Sequence, residues 1–319
     1  MSEDMKDTIG SDGSVAMHCQ ADTVAVIVTY NRKNLLAQSI EAVLQQTKSC
    51  DLLIIDNAST DGTGEFLKTL TDPRIHCCNT GRNLGGAGGF HYGMKTAVEA
   101  GYDYLWIMDD DTIAQPDALA KFFEAEKQLP EEYGWLSGQA LWTDGMPCLM
   151  NQQRKSPYKK LQCNLQEITP IQIATFVSLF LKADVVIAHG LPCGEFFIWG
   201  DDWEYTRRIS RKHSCYFIPQ SVVIHAMVEN SPNHISNTPQ NRIDRFFYAF
   251  RNEWVMFRKE GIFGWGYYFA KCTLNFWKII FKAPDQRWKR LKCLLKGAFA
   301  GMFFFPKIEY VTHKKDRQL

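Results

Sequence analysis

The strongest constraint on the fold is an alternation of β-branched apolar runs with helical segments in the first third of the chain. The runs TVAVIVTY (23–30) and CDLLIIDNAS (50–59) have the length and composition of buried strands. Between them, apolar residues recur at helical spacing in RKNLLAQSIEAVLQQT. The alternation continues through RIHCCNT and YLWIMDDD. The sequence therefore predicts a doubly wound α/β sheet, whose ligands bind at the carboxyl ends of its strands.

Polar clusters follow three of these runs, namely Thr29 to Arg32, Asp56 with Asn57, and Asp109 to Asp111. Three adjacent carboxylates beside a buried strand are costly unless a cation is present. Alternate residues of an extended segment point to the same side, so Asp109 and Asp111 are a suitable pair for a hard divalent cation. The alternative for the triplet is a solvated turn or an acidic helix N-terminus.

The glycines of NLGGAGGFHYG (83–93) lie where a backbone would approach a ligand closely. They do not match the dinucleotide fingerprint, because His91 occupies the position of its last glycine, and no P-loop lysine follows. Ordinary turn chemistry at a strand-to-helix junction is the alternative interpretation.

The first 22 residues are acidic and polar without an apolar stretch, so we expect a poorly ordered tail with neither a signal peptide nor a leading anchor. The ten cysteines are scattered and form no C-x-x-C pair, which favours reduced thiols in a cytosolic protein.

The motifs VAVIVTYNR, LLIIDNASTDGT, NLGGAGG and MDDDT, in this order and spacing, resemble the nucleotide-sugar-binding half of the inverting family 2 glycosyltransferases with the GT-A fold. FFIWGDDWEY is similar to the W-D-D-x-E segment of bacterial galactofuranosyltransferases and related rhamnosyltransferases, and FYAFRN to a Y-x-x-R-N stretch that follows their core. The resemblance spans residues 23 to 252. It implies a GT-A domain at 23–235 with a mixed sheet, followed by a C-terminal helical region at 236–319.

The resemblance also implies roles for particular side chains. The metal ligands for Mn²⁺ or Mg²⁺ would be Asp109, Asp111 and His225, although a lone histidine after an apolar run is more often an ordinary hydrogen-bonded residue. The residues that would bind the nucleotide sugar are Thr29, Tyr30, Asn31, Arg32, Asp56, Asn57, Asn83, Gly86, Asp110 and Trp199. Gly200 separates Trp199 from the acids, which departs from the W-D-D-x-E pattern.

A second acidic cluster at Asp201, Asp202 and Glu204 would supply the reacting base. Neighbouring carboxylates push their pKa values apart, and one of them becomes a better base. By resemblance, Asp202 deprotonates the acceptor hydroxyl and Asp201 binds sugar or acceptor hydroxyls. A helix N-terminus with dipole-favoured acids is the alternative, above all for Glu204.

The implied activity is inverting transfer of one sugar in cell-surface polysaccharide assembly. The donor would be UDP-galactofuranose first and dTDP-rhamnose second, and the acceptor a glycan, including polyprenyl-diphosphate-linked ones. The Q-x-x-R-W element of processive synthases is absent from the sequence, which favours single addition. A non-catalytic sugar-binding module and a metal-dependent phosphohydrolase are the two alternatives.

The C-terminal region is aromatic and basic. Residues 251–319 contain 15 Lys plus Arg against 5 Asp plus Glu. Nucleic acid, an anionic membrane surface, and helices packed on the core are three possible explanations. The resemblance favours the membrane and not nucleic acid, and it implies a cytoplasmic protein that is peripheral on the inner face of the plasma membrane. No stretch is apolar and long enough to predict a spanning helix.

Overall fold

The computed structural model describes residues 19–162, 165–231 and 234–312. The strands in these residues are β1 (Thr23–Thr29), β2 (Asp51–Asp56), β3 (Ile75–Asn79), β4 (Tyr104–Asp109), β5 (Thr112–Ala114), β6 (Leu136–Leu141), β7 (Arg154–Ser156), β8 (Lys159–Lys160), β9 (Thr169–Ile171), β10 (Leu179–Lys182) and β11 (Cys215–His225). The α-helices are α1 (Lys33–Leu44), α2 (Thr63–Leu67), α3 (Gly85–Ala100), α4 (Ala118–Glu126), α5 (Ala183–His189), α6 (Asp201–Ser210), α7 (Phe246–Arg258), α8 (Gly261–Lys282) and α9 (Arg287–Met302).

One mixed sheet organises the molecule, with strand order β3-β2-β1-β4-β10-β6-β11-β5 and β9 added beside β11. The strands β3, β2, β1 and β4 are parallel, whereas β10 runs antiparallel to both of its neighbours. Strand β5 pairs antiparallel with β11. The predicted α/β class with a doubly wound mixed sheet and C-terminal helices is therefore confirmed.

Helices cover both faces of the sheet, which explains why the strands read as continuous apolar runs. The side chains of β1 alternate between two cores: Val24 and Val26 belong to the core under α3, α5 and α6, and Ala25 and Ile27 to the core under α1, α2 and α4. All four are fully buried. Burial on both faces fixes the register of this strand and thus the place where it ends.

The glycine-rich segment is helical, because α3 begins at Gly85 and includes all five glycines of NLGGAGGFHYG. A Cβ added to Gly89 or Gly93 would lie only 2.3 Å from Val28 or 2.6 Å from Val26 on β1. These two glycines let the helix pack directly on the sheet and do not face a ligand. Gly86 is different, since no atom lies within 4 Å of an added Cβ.

The C-terminal helices form a separate layer. Helix α7 contacts α6, α8 and α9, and the three C-terminal helices share apolar clusters around Phe250, Trp254 and Leu294. Among the described residues, no helix is both long and apolar enough to cross a bilayer. Most of the predicted N-terminal tail, residues 1–18, lies outside the described residues, whereas the backbone N–H of Gln20 donates to Asp51.

Candidate functional site

The predicted polar clusters meet at one edge of the sheet because their strands are neighbours in register. Thr29 at the end of β1 lies opposite Asp56 at the end of β2. On the other side of β1, Val28 lies opposite Asp109 at the end of β4. The first loop, the second loop and the acidic triplet therefore lie side by side at one edge of the sheet.

A cluster of two carboxylates and one imidazole forms where β4 ends. Strand β5 follows the triplet and pairs with β11, and this pairing sets Thr112 opposite His225. The Nε2 atom of His225 lies 2.8 Å from Asp111 Oδ1 and 3.9 Å from Asp109 Oδ2. One ligand atom from each of the three residues lies within 4.8 Å of the others. The fold thus brings together residues that are 114 positions apart.

The orientation of the His225 ring is set by Asn151, whose Oδ1 lies 2.8 Å from Nδ1. An amide oxygen only accepts, so Nδ1 carries the hydrogen and Nε2 faces the carboxylates. Burial lowers the pKa of His225, but the hydrogen bond and charge of Asp111 outweigh burial and raise it to about 10. A positive charge is therefore favoured at Nε2, in the form of either a proton or a bound cation.

The two acids differ in their surroundings. Burial and the charge of Asp111 raise the pKa of Asp109. For Asp111, burial acts in the same direction, but the His225 hydrogen bond and the charges of His225 and Arg32 hold its pKa below the ordinary value. Two carboxylate oxygens and an imidazole nitrogen are a donor set that suits Mn²⁺, and Mg²⁺ accepts the oxygens. These residues fit a divalent cation.

Asp110 is turned away from this set. Its carboxylate accepts a hydrogen bond from Thr29 Oγ1 at 2.8 Å and lies 3.5 Å from Arg32 Nη1, and its carbonyl oxygen accepts from Ser39. Burial outweighs Arg32 and raises the pKa of Asp110 to about 7. Arg32 also contacts Asp111, so its guanidinium lies across the acidic triplet.

The remaining residues of the first loop link it to the loop after β2. Asn31 has a positive φ of 56°, and its Oδ1 accepts a hydrogen bond from the Thr60 N–H at 2.7 Å. Tyr30 beside it is 43% exposed and is free to contact a ligand. Asp56 is buried and accepts from the Ser59 N–H and from the Asn79 side chain.

The start of α3 is held by two asparagines. The Asn57 side chain donates to the carbonyl of Gly85 at 3.0 Å, and Asn83 Oδ1 accepts from the Gly85 N–H at 2.8 Å. Gly85 itself has φ 72°, and an added Cβ would lie 2.0 Å from the Phe197 carbonyl oxygen. The loop that precedes α6 therefore packs against the first turn of α3.

Asp201 and Asp202 open α6, and the loop before this helix packs on the first turn of α3. Burial raises the pKa of Asp201 to about 7 and that of Asp202 well above its ordinary value, and the charge of Asp109 raises both. A carboxylate with a raised pKa is a stronger base once it is ionised.

Glu204 lies in the first turn of α6, as the alternative interpretation expected, but no side-chain hydrogen bond caps this helix. Its buried carboxylate forms ion pairs with Arg208 at 3.2 Å and with Lys259 at 2.8 Å. Burial alone would raise the pKa of Glu204, but the two cations lower it. Because Lys259 follows α7, this network ties α6 to the C-terminal helices.

The loop before α6 is strained and is fixed by α7. Phe197 and Trp199 both have φ 65°, and such left-handed conformations cost about 1–3 kcal/mol each. The Asn252 side chain donates to the carbonyl oxygens of Phe196, Ile198 and Trp199 at 2.7–3.1 Å. The Trp199 ring packs edge-on against Phe246, so it contacts the helical layer.

The sequence predicted no role for two residues of the site. Asn151 lies in an irregular segment without a recognisable motif, so its contact with His225 was not predictable. Asn252 lies in FYAFRN, which the resemblance singled out without giving it a role. Its buried amide nitrogen donates to backbone carbonyls, and its oxygen accepts from the Arg251 side chain.

Comparison with known proteins gives consistent matches. Residues 24–184 match the family described as Glycosyl transferase family 2. The galactofuranosyltransferase GlfT1 of Mycolicibacterium smegmatis is 26% identical over 299 residues, which cover 85% of this chain and 95% of that protein. GlfT1 of Mycobacterium tuberculosis is 30% identical over 59% of this chain and 64% of its own length. The mannosyltransferase PcManGT from Pyrobaculum calidifontis, solved with GDP-Man and Mn²⁺, superposes with a TM-score of 0.56 at 12% identity, covering 88% of this chain and 87% of that one. The expected GT-A fold is confirmed.

Proposed function

We propose that this chain, which belongs to glycosyl transferase family 2 and is a glycosyltransferase, moves one galactofuranose with inversion from a UDP donor to a glycan acceptor. The observation that carries the proposal is the Asp109, Asp111 and His225 cluster, together with a second acidic pair, Asp201 and Asp202, on a helix whose preceding loop packs on the start of α3. One group would hold the leaving diphosphate, and the other would accept the proton of the incoming hydroxyl.

The choice of donor rests on relatives and not on a contact in the site. The two GlfT1 proteins are named as galactofuranosyltransferases, and one of them aligns along most of this chain. We therefore place UDP-galactofuranose first and dTDP-rhamnose second. Buried Asp56, whose two oxygens already accept hydrogen bonds at the end of β2, retains lone pairs for the uracil imide.

Metal dependence is part of the proposal. Asp109, Asp111 and His225 would hold Mn²⁺ or Mg²⁺, and the ion would neutralise the charge that develops on the departing diphosphate. Arg32 contacts Asp110 and Asp111, so its guanidinium would provide a second positive charge near the departing diphosphate.

The reacting proton is assigned to Asp202. The acceptor oxygen attacks the anomeric carbon on the face opposite the diphosphate, and the bond from that carbon to the diphosphate oxygen breaks. The ionised Asp202 carboxylate takes the hydroxyl proton, and the nucleoside diphosphate leaves with the electron pair. Asp201 would bind a hydroxyl of sugar or acceptor. Attack from the opposite face inverts the anomeric configuration.

A polyprenyl-diphosphate-linked glycan is the acceptor that we favour, and the inner face of the plasma membrane is the place where we expect it to be used. Such an acceptor is anchored in a bilayer, and the basic, aromatic C-terminal region is suited to a membrane surface. The enzyme would then work as a peripheral protein of bacterial cell-envelope polysaccharide assembly.

A donor screen tests this proposal. The enzyme is incubated with Mn²⁺, a galactofuranose-containing acceptor and each of UDP-galactofuranose, UDP-glucose, dTDP-rhamnose and GDP-mannose. We expect release of the nucleoside diphosphate to be fastest with UDP-galactofuranose, and NMR of the product to show the inverted anomeric configuration. Exclusive use of GDP-mannose, or phosphate release from sugar phosphates without an acceptor, would contradict it.

Asn252 gives a second test, because it positions the loop that precedes the base. Asn252→Asp keeps the shape but removes the N–H donors, so three carbonyls of the strained loop lose their partner. We expect kcat to fall by about 100-fold through misplacement of Asp202, with the Mn²⁺ affinity unchanged. Equal losses of kcat and Mn²⁺ affinity would indicate general unfolding instead, and unchanged kcat would remove the positioning role.

A further inference from the structure

Large apolar side chains are exposed mainly on the C-terminal helices. Of the twenty that are exposed in the described residues, fourteen lie between residues 262 and 310. Ile262 and Phe263 are each 82% exposed and Trp288 is 84% exposed. Isolated exposed apolar residues are ordinary, but a concentration of this kind marks an interaction surface.

These side chains recur with helical period, so each helix presents one continuous apolar stripe to solvent. The stripe on α8 consists of Ile262, Phe263, Trp265, Phe269, Leu274, Trp277 and Phe281. The stripe on α9, extended by one residue beyond the helix, consists of Trp288, Leu295, Phe299, Met302 and Phe303. The opposite sides of both helices are already buried through Tyr268, Ile279, Leu291 and Leu294. We call the two stripes together the α8–α9 face.

Both helices pack on α7 and on each other, so their outward stripes lie on the side away from α7. A linker of four residues, 283–286, joins the helices. At this end Trp277 stacks on Phe281 with ring centroids 5.7 Å apart, and Trp288 is the second residue after the linker. Exposed aromatic rings therefore lie on both helices beside the linker.

Unpaired cations accompany the apolar stripes. Residues 261–312 contain nine Lys plus Arg and only two acids, Asp285 and Glu309. Both acids are engaged, Asp285 with Arg290 and Glu309 with Lys95. In the part of the chain that the structure describes, no carboxylate pairs with Lys278, Lys282, Arg287, Lys292, Lys296 or Lys307.

We propose that the α8–α9 face docks on the surface of an anionic phospholipid bilayer, with its aromatic stripes in the interface and its lysines against the headgroups. An apolar stripe alone would suit several partners, but exposed Trp and Phe flanked by unpaired lysines match the chemistry of an anionic lipid interface. The helices lie on the bilayer and do not cross it, in keeping with their length and polarity.

Docking through this face brings the bilayer close to the loop that precedes the base. An added Cβ on Gly297 or Gly301 of α9 would lie within 3 Å of α7 atoms, so these two helices are in direct contact. Helix α7 in turn holds the 194–200 loop through Arg251 and Asn252. Helices in contact lie about 8–10 Å apart, so one helix layer separates the docked surface from that loop.

Vesicle co-sedimentation of the full chain tests the proposal without any donor or acceptor, so its result is independent of the proposed reaction. The vesicles contain phosphatidylcholine with or without phosphatidylglycerol. We expect binding only with phosphatidylglycerol, weakened by salt. The triple variant Phe263→Ser, Phe281→Ser, Trp288→Ser should bind at least about tenfold more weakly, because three interfacial aromatic groups are lost.

The charge requirement is tested separately with Lys282→Gln, Lys292→Gln and Lys296→Gln, which should weaken binding to anionic vesicles by about 10- to 100-fold. The matched controls are Val228→Ser with Met146→Ser, and Lys68→Gln with Lys127→Gln and Lys155→Gln, all at exposed sites of the sheet domain. The proposal is overturned if the wild-type chain ignores anionic vesicles or if the controls weaken binding equally. It is also overturned if the serine variant turns a dimer into a monomer in sedimentation velocity while vesicle binding stays unchanged, because a second copy would then cover the face.

Discussion

Replacing Asp202 by asparagine is expected to lower kcat for sugar transfer by about 10²–10⁴-fold while raising thermal stability. The loss follows because an amide cannot accept the hydroxyl proton. Neither the metal cluster nor the donor-side residues contact Asp202 in the described structure, so Mn²⁺ affinity should stay within a few-fold of the wild-type value. Stopped assays of UDP release and Mn²⁺ titration measure the two quantities separately.

The gain in stability follows from the raised pKa of Asp202. In the unfolded chain this carboxyl ionises near its ordinary pKa, whereas in the folded protein burial and Asp201 oppose ionisation. The folded state therefore loses stability as the pH rises from the ordinary value to the raised one, and the full cost is present above it. Asparagine removes that cost, so we expect about 0.5–2 kcal/mol of added stability near neutral pH, measured as a higher Tm in the presence of chelator.

Glu204→Gln is the matched control, because Glu204 is a buried acid two residues away with the opposite electrostatics. Its pKa is lowered by Arg208 and Lys259, so removing its charge leaves two cations without their partner. We expect this variant to lose about 3–5 kcal/mol, with a lower Tm. If Asp202→Asn kept the wild-type kcat, or lowered Tm in the same way as Glu204→Gln, the carboxylate would be structural and not the reacting base.

The sequence was sufficient for the part of the site that depends on parallel strands. Apolar runs that end in polar residues predicted where β1, β2 and β4 stop, and the topology of a parallel sheet places those ends side by side. Thr29, Asp56 and Asp109 accordingly lie at the same edge of the sheet. This inference needed no long-range information, because burial on both faces fixes the register of each strand.

The contacts that depend on irregular segments were not predictable. Asn151 orients His225 from a stretch with neither periodicity nor motif, and only the folded chain brings the two together. Gly89 and Gly93 are required by close packing of α3 on the sheet, and in the sequence this requirement looks the same as a close approach of the backbone to a ligand. The three hydrogen bonds that the Asn252 side chain donates likewise depend on a strained loop, which no local sequence pattern predicts.

Mutation of Asp111 should remove both cation binding and catalysis. Its carboxylate is the one that approaches His225 Nε2 at 2.8 Å and also contacts Arg32, so it is central to the donor set. For Asp111→Ala we expect at least about a 100-fold loss of Mn²⁺ affinity, since even residues that only orient a ligand are worth 10- to 100-fold. Transfer should become undetectable with Mn²⁺ at concentrations that saturate the wild-type enzyme. The EPR signal of free Mn²⁺ during titration reports binding directly, independently of turnover.

Two companion variants make the result of Asp111→Ala specific. Asn151→Ala leaves all three ligand side chains in place but frees the His225 ring, so Mn²⁺ affinity should fall by about 10- to 100-fold. Asp61→Ala removes an exposed carboxylate whose Oδ2 accepts from the Lys33 N–H near the start of α1, and it should leave the Mn²⁺ titration unchanged.

A wild-type titration curve for Asp111→Ala together with wild-type transfer would show that the cluster binds no ion that the reaction uses. Equal losses of Mn²⁺ affinity in all three variants would instead indicate a non-specific effect of mutation. A cation held by Asp109, Asp111 and His225 requires a graded order of Mn²⁺ affinity. Asp111→Ala should bind Mn²⁺ most weakly, Asn151→Ala should be intermediate, and Asp61→Ala should bind it like the wild type.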